Sequence, residues 1–264
     1  MLKKIVSLSI SILVIAFSFF ACSGNDLPDP SNSAAPSSPA QSDEPSPSQS
    51  APPENSVSPE AQPYKYELDY HKASDYLKNV VGDKILTQAY KIVDAFFAHK
   101  DSVTLDIQDL PNNFADKLGY AASLLCPQFA AFNNYNSMKD LNLKTGKFTF
   151  RYVVDKEEID KKTAELEKKV SEIMSDLCEG DSDTMRALII YNDLTRNASY
   201  DNDLPKNVKE DDTNFIYVTS AYSAILDGLG ICTSYARALS FLYTQADIDA
   251  GVVSSSVGEQ HEWT

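Results

Sequence analysis

Apolar residues recur at helical spacing from about Asp83 to His99, where Ile85, Leu86, Ala89, Ile92, Val93, Phe96 and Phe97 mark one face. His99 falls in the last turn, where an imidazole can interact with free carbonyls. Val103 to Ile107 alternates as a strand does, and Asn112 to Leu125 reads as a second helix. That helix should end near Cys126-Pro127, because proline disfavours helix in the residue before it. Gly146 marks a turn, and Phe148 to Val154 has strand composition. A long amphipathic helix follows from about Lys156 to Cys178, with Ile159, Leu166, Val170, Ile173 and Leu177 as its stripe. Asp181-Ser182-Asp183 can cap the next helix, about Thr184 to Arg196.

The C-terminal third is more broken. Asp201 to Thr213 is polar and reads as a loop, and Phe215 to Val218 as an extended segment. Ser220 to Asp227 reads as a short helix stopped by Gly228, whose backbone tolerates a helix end. Cys232 then opens a helix whose Tyr235, Ala236, Leu239 and Leu242 stand at helical spacings. Ala250 to Ser254 reads as a strand, and a loop bearing Gly258 leads to His261-Glu262-Trp263. Alternating helices with few strands predict an α+β fold.

The first residues change the picture. Lys3 and Lys4 precede an uncharged apolar run from Ile5 to Phe20, which ends at Ala21-Cys22. This is the pattern of a secretory signal, and the run is short for a spanning helix. The cysteine directly after a small residue resembles a bacterial lipoprotein signal, with Phe19 where that family usually has Leu. The resemblance implies that residues 1–22 are a signal segment and that Cys22 becomes the lipidated N-terminus. Ordinary secretion, with Cys22 incidental, is the alternative. Residues 23–63 are rich in Pro, Ser and Ala and nearly lack large apolar residues. Such a segment cannot bury enough surface to offset the entropy of ordering it, and reads as a disordered tether. A flexible coil of that length spans about 35 Å.

The formal charge of -15 comes with no basic run. This argues against nucleic acid as a partner and against charge-driven binding to anionic lipid. Four cysteines are present, and lipidation of Cys22 leaves Cys126, Cys178 and Cys232. Outside the cytoplasm an odd number leaves a free thiol in a monomer, with Cys126 and Cys178 able to pair and Cys232 the candidate free group. His71, His99 and His261 are far apart in sequence, and no Cys/His spacing suggests a metal. No phosphate-cradling glycine loop occurs, so no cofactor is expected. Asn197-Ala198-Ser199 matches a glycosylation acceptor, to which a bacterial signal gives no weight.

The chemistry concentrates at Cys232 and His261. Gly228 and Gly230 allow a tight bend before Cys232, which places the thiol at a helix start. Free N–H groups and the helix dipole favour an anion there, and hence a thiolate nucleophile. The same N–H groups can stabilise an oxyanion on an attacked carbonyl. A strand packed beside the helix start would bring His261 up to accept the thiol proton and return it to a leaving amine.

Gly228-Leu229-Gly230-Ile231-Cys232, Tyr235-Ala236, the strand near 250–254 and His261-Glu262-Trp263 together resemble the transglutaminase-like superfamily. Ile190 to Asp201 looks like the helix and Tyr-Asp element that precedes the nucleophile in bacterial members. The resemblance covers about residues 180–264. It implies a papain-like core at 181–264, a cysteine helix on an antiparallel sheet, preceded by a helical region with a few strands at 64–180. It also implies Cys232 as nucleophile, His261 as base, and Tyr235 and Trp263 in support. The family's third residue, an Asp on the next strand, has no counterpart after Thr264, so the resemblance implies a C-terminally truncated member. Asp201 is a conceivable substitute for orienting His261. Ser234 stands where many members have Gly, and Thr264 where many have Asn. The implied function is a membrane-anchored, extracellular thiol chemistry on protein or cell-wall peptide. It would proceed through a thioester to hydrolysis or transamidation. A non-catalytic cell-surface binding module is the alternative.

Overall fold

The computed structural model describes residues 62–134, 140–196, 198–202, 213–255 and 261–264. The signal segment with Cys22, nearly all of the tether, Asn197 and Gly258 lie outside the described residues. Helix and strand are mixed, in an α+β arrangement with small sheets. No described helix is long and apolar enough to cross a membrane.

The N-terminal part begins with α1 (Asp75–Val81), whose cap Ser74 accepts from the Leu77 N–H at 3.1 Å. Helix α2 (Asp83–Phe97) buries the stripe read from the sequence, from Ile85 to Phe96. His99 lies just beyond it in a left-handed conformation (φ 48°), stacked on Tyr152 at 4.0 Å, and so terminates the helix from outside. Helix α3 (Phe114–Leu125) ends at Cys126, and Pro127 starts α4 (Pro127–Phe132). Proline at the first helical position loses no intrahelical hydrogen bond there.

Three short strands, β1 (Ser102–Thr104), β2 (Leu141–Asn142) and β3 (Lys147–Thr149), form an antiparallel sheet in the order β1-β3-β2. They are shorter than the alternation predicts, because side chains and loops capture the flanking backbone. Gln88 accepts from the Asp106 N–H at 2.9 Å, which takes the chain after β1 out of the ladder. After β3, the Arg151 N–H turns to the Asn133 side chain at 2.8 Å and the Val153 N–H to the Phe132 carbonyl at 3.0 Å.

Helix α5 (Lys156–Met174) is capped by Asp155, which accepts from the Glu158 N–H at 2.9 Å. It stops short of Cys178, which instead bridges Pro63. Cys126 and Cys178 are both free thiols, so the pairing open to the sequence is not made. Cys126 is fully buried and turned into α4, where its sulfur accepts from the Phe129 N–H. Ser182 caps α6 (Asp183–Arg196), accepting from the Met185 N–H at 3.2 Å.

The C-terminal part contains β4 (Ser199–Tyr200), α7 (Thr213–Val218), α8 (Ala221–Leu226), β5 (Leu229–Gly230), α9 (Cys232–Gln245), β6 (Val253–Ser255) and β7 (His261–Trp263). The expected extended segment at Phe215 to Val218 is helical in α7. Its β-forming residues are overridden by packing: Tyr217 meets Phe132 at 6.1 Å and Tyr222 at 5.8 Å, and Val218 is buried with Ile231.

One core runs through both parts. It joins Ile92 and Phe96 of α2, Phe129 of α4, Leu166 and Val170 of α5, Tyr222 of α8, and Phe241 and Leu242 of α9. The core is therefore not divided at residue 180. The lead-in before α1 is stitched to the end of α9: Gln245 donates to the Asp69 carbonyl at 3.0 Å and accepts from the Asp69 N–H at 3.0 Å. Lys72 pairs with Asp247 at 2.7 Å, and the Tyr64 hydroxyl donates to the same carboxylate at 2.7 Å.

Candidate functional site

Cys232 is the first residue of α9, half-buried, with Ile231 as the preceding cap position. An isoleucine has no polar atom with which to cap, so other groups organise this helix start. Gly228 turns the chain at φ 62°, a conformation that favours glycine. Gly230 passes so close to Ser234 that a Cβ would collide with that side chain. Ser234 is fully buried; its hydroxyl accepts from the Ile231 N–H at 3.1 Å and donates to the Val218 carbonyl at 2.5 Å. Ser234 thus ties the bend to α7.

The second organiser is the parallel pairing of β4 with β5, Ser199 opposite Leu229 and Tyr200 opposite Gly230. The Ser199 N–H donates to the Gly228 carbonyl at 2.6 Å and the Asp201 N–H to the Gly230 carbonyl at 2.9 Å. Tyr235 locks the pairing from the helix side. Its hydroxyl donates to the Gly228 carbonyl at 2.6 Å and accepts from the Ser199 N–H at 3.0 Å. Burial raises the Tyr235 phenol's pKa, which keeps it the donor this lock requires. The Tyr-Asp element is thereby hung on the loop that delivers Cys232, and the Cys232 N–H donates to the Tyr200 hydroxyl oxygen at 3.4 Å.

His261 opens β7, which pairs antiparallel with β6 in the register Ser255–His261, Ser254–Glu262 and Val253–Trp263. Strand β7 packs against α9. Glu262 makes the link, accepting from the Arg237 guanidinium at 3.2 and 3.3 Å, with both side chains largely buried. The Thr264 hydroxyl also donates to the Ala236 carbonyl. The base of the hairpin is held from the N-terminal part, since the Tyr76 and Tyr120 hydroxyls both donate to the Val252 carbonyl, at 3.3 and 3.0 Å. Burial pushes the Tyr120 phenol up to about 12, so it remains a donor throughout the physiological range.

The structure therefore brings together the helix of Cys232 and the strand of His261, with no hydrogen bond between the two side chains. The His261 ring lies edge-on to Trp263 at 4.7 Å. Alternation along β7 puts His261 and Trp263 on the face opposite Glu262. Trp263 is exposed, as is Val253 across from it. No carboxylate among the described residues, Asp201 included, hydrogen-bonds His261. Among the described residues no group of His, Cys, Asp and Glu is placed to hold a metal ion.

Three residues at the site were not singled out from the sequence as site residues: Tyr200, Arg237 and Glu262. Tyr200 is read there only as part of the Tyr-Asp element, because nothing local shows that β4 pairs with a strand some thirty residues later. Arg237 lies in the α9 helix, and its partner across the chain is likewise invisible locally. Comparison with known proteins finds no matching family model and no matching curated protein.

Proposed function

We propose that this chain is a transglutaminase-like thiol protein with a papain-like core, acting on amide or peptide carbonyls of extracellular protein or cell-wall peptide. The observation that carries the reading is the packing of the His261 strand against the helix that Cys232 opens, pinned by Arg237 and Glu262. In the reaction, the Cys232 thiolate adds to the carbonyl carbon and the C=O electron pair moves onto oxygen. Collapse of that adduct expels the amine, which takes its proton from the His261 imidazolium and leaves a thioester. Water or a second amine then adds and expels the sulfur, giving hydrolysis or transamidation. Cys232 and His261 are not hydrogen-bonded here, and catalytic hydrogen bonds in free-enzyme sites commonly tighten only on binding. The N-terminal signal and tether fit anchoring through a lipid on Cys22, with the domain held outside the membrane.

Alkylation of Cys232 by a thiol-directed electrophile near neutral pH tests this. The expected rate is at least about ten-fold above that of a free model thiol, as an activated nucleophile gives. The fast labelling should be lost in Cys232→Ala, leaving only the slower reaction of other thiols such as Cys178, and should slow in His261→Ala. A rate no faster than the model thiol sinks the reading.

The absence of a hydrogen bond between Cys232 and His261, with Val253 and Trp263 exposed side by side, favours a second reading as a non-catalytic surface binding module. That reading expects attachment to purified cell wall to survive Cys232→Ala and His261→Ala. Loss of attachment in both would exclude it.

A further inference from the structure

We infer that α6 carries a docking face for a second copy of this chain, two α6 helices crossing antiparallel with Leu188 on the two-fold axis. The inference needs neither Cys232 nor His261 and stands apart from the thiol chemistry proposed above.

Helix α6 is apolar on two sides. Ile190 and Leu194 are buried in the core, while Met185, Leu188 and Tyr191 are 49%, 52% and 47% exposed. At about 100° per residue, Thr184, Met185, Leu188, Tyr191, Asn192 and Thr195 all fall within about 60° of Leu188, and none of them is charged. The preceding helix α5 shows a solvated face of the same chain, since its exposed positions include Lys161, Glu165, Lys168 and Glu172. An apolar centre with an uncharged polar rim is instead the composition of an interface.

Symmetry and charge point to the occupant. Met185 and Tyr191 stand three residues either side of Leu188. A two-fold axis through Leu188 therefore sets each Met185 against the second copy's Tyr191, a sulfur–aromatic contact made twice. The helix starts acidic, with the Asp183 side chain 73% exposed, and ends basic, with that of Arg196 68% exposed. Antiparallel crossing brings each acidic start to a basic end and opposes the helix dipoles, whereas parallel crossing puts like charges together. With a formal charge of -15, two copies repel over most of their surface, and a charge-free face lets them approach. Such a face is at the small end of specific interfaces, under about 1,200 Å² in total, so the pair is weak and concentration-dependent. The tether enters the fold beside it: the Glu179 N–H donates to the Gln62 carbonyl at 2.8 Å and Pro63 bridges Cys178, just before α6. The 14 residues of α6 span about 21 Å, so the two tethers of a pair root about 20 Å apart, within reach of one membrane. Anchoring as proposed above would hold copies close enough to pair.

The test crosslinks the full chain, purified in a mild detergent, with a short bis-maleimide. Every chain carries Cys178→Ser and Cys232→Ser to remove the two partly exposed thiols. Chains with Thr184→Cys mixed with chains with Asn192→Cys should crosslink about ten-fold more than either alone. The axis sets position 184 opposite 192, while the two copies of 184 lie about 12 Å apart along the helices. The yield should rise with protein concentration. Adding Leu188→Glu to both chains should lower it about ten-fold, because a charge would then be buried at the axis. Leu188 is exposed, so that substitution spares the core. The comparison of mixed with single variants also stands without it. Lys161→Cys mixed with Lys168→Cys, on the solvated face of α5, gives the background. Equal crosslinking by either variant alone, or a yield insensitive to Leu188→Glu, overturns the inference. A mixture no better than background also overturns it and leaves the face to a different protein.

Discussion

At the scale of single residues, burial sets much of the behaviour. Cys126 is completely enclosed, and burial pushes its thiol from 9.0 up to about 12. Burial likewise pushes the Tyr120 phenol from 10.0 to about 12, and raises Tyr70, Tyr152, Tyr217 and Tyr222 in the same direction. Each of these groups is neutral when protonated, and the folded chain binds its proton more tightly than the unfolded chain does. Their contribution is therefore fully present below the unfolded pKa and is lost as pH rises through the folded one. The expected outcome is a urea midpoint that is insensitive to these groups at neutral pH and declines from about pH 9 upward. A flat profile from pH 9 to 11 would count against it. Cys232, at a helix start and half-buried, sits in a different environment from Cys126 although both are free thiols.

At the scale of elements, the decisive connection is that of the β6–β7 hairpin to α9. The hairpin is short, and two strands alone are marginal in water. Its stability comes from the Arg237–Glu262 pair, the Thr264 hydroxyl and the two tyrosine hydroxyls on Val252. A double-mutant cycle with Arg237→Gln and Glu262→Gln should give a coupling of about 1 kcal/mol, as a largely buried pair with two hydrogen bonds does. Amide exchange in β6 and β7 should accelerate in both single variants while α2 and α3 stay protected. A coupling near zero would show that the hairpin is held by its backbone and the tyrosines alone. The same scale explains α7. Phe215, Tyr217 and Val218 have strand composition, yet their side chains find partners on α4, α8 and Ile231 only from a helical turn.

At the scale of the whole molecule, the N-terminal and C-terminal parts share one core. Tyr222 of α8 packs edge-on to Phe132 of α4 at 4.8 Å, and Phe241 of α9 stacks with Tyr70 at 6.3 Å. Residues 181–264 produced alone would expose these faces and lose the partners of Gln245 and Asp247. They are expected to show no cooperative thermal transition, whereas residues 62–264 should melt in a single one. A cooperative melt of the isolated C-terminal part would mean that the two parts fold independently. Asp247 adds a pH signature to this seam. Hydrogen bonds from Lys72 and Tyr64 lower its carboxyl below 3.8, so its contribution is present above that value and lost as pH falls through the folded pKa.

Sequence alone determined α2 and α5 through their long apolar stripes, because a periodic stripe must be buried whatever lies opposite it, and placed α3 by the proline that ends it and α6 by the residues that cap it. Capping residues fixed several of their starts: Asp155 and Ser182 act where the sequence puts them. It also determined that Cys232 begins a helix, through two glycines and the apolar spacing that follows. What tertiary structure alone decided is how far each strand runs, the helical state of 215–218, the seam between lead-in and α9, and the surroundings of Cys232. Strand length depends on which neighbour captures each backbone group, as Gln88 and Asn133 do here. The placement of Tyr200 over the Cys232 amide depends on a parallel pairing between segments remote in sequence. The orientation of β7, which sets Glu262 toward α9, depends on Arg237 some twenty-five residues earlier. A periodic pattern encodes which face is buried, but a hydrogen-bond partner far along the chain leaves no local trace.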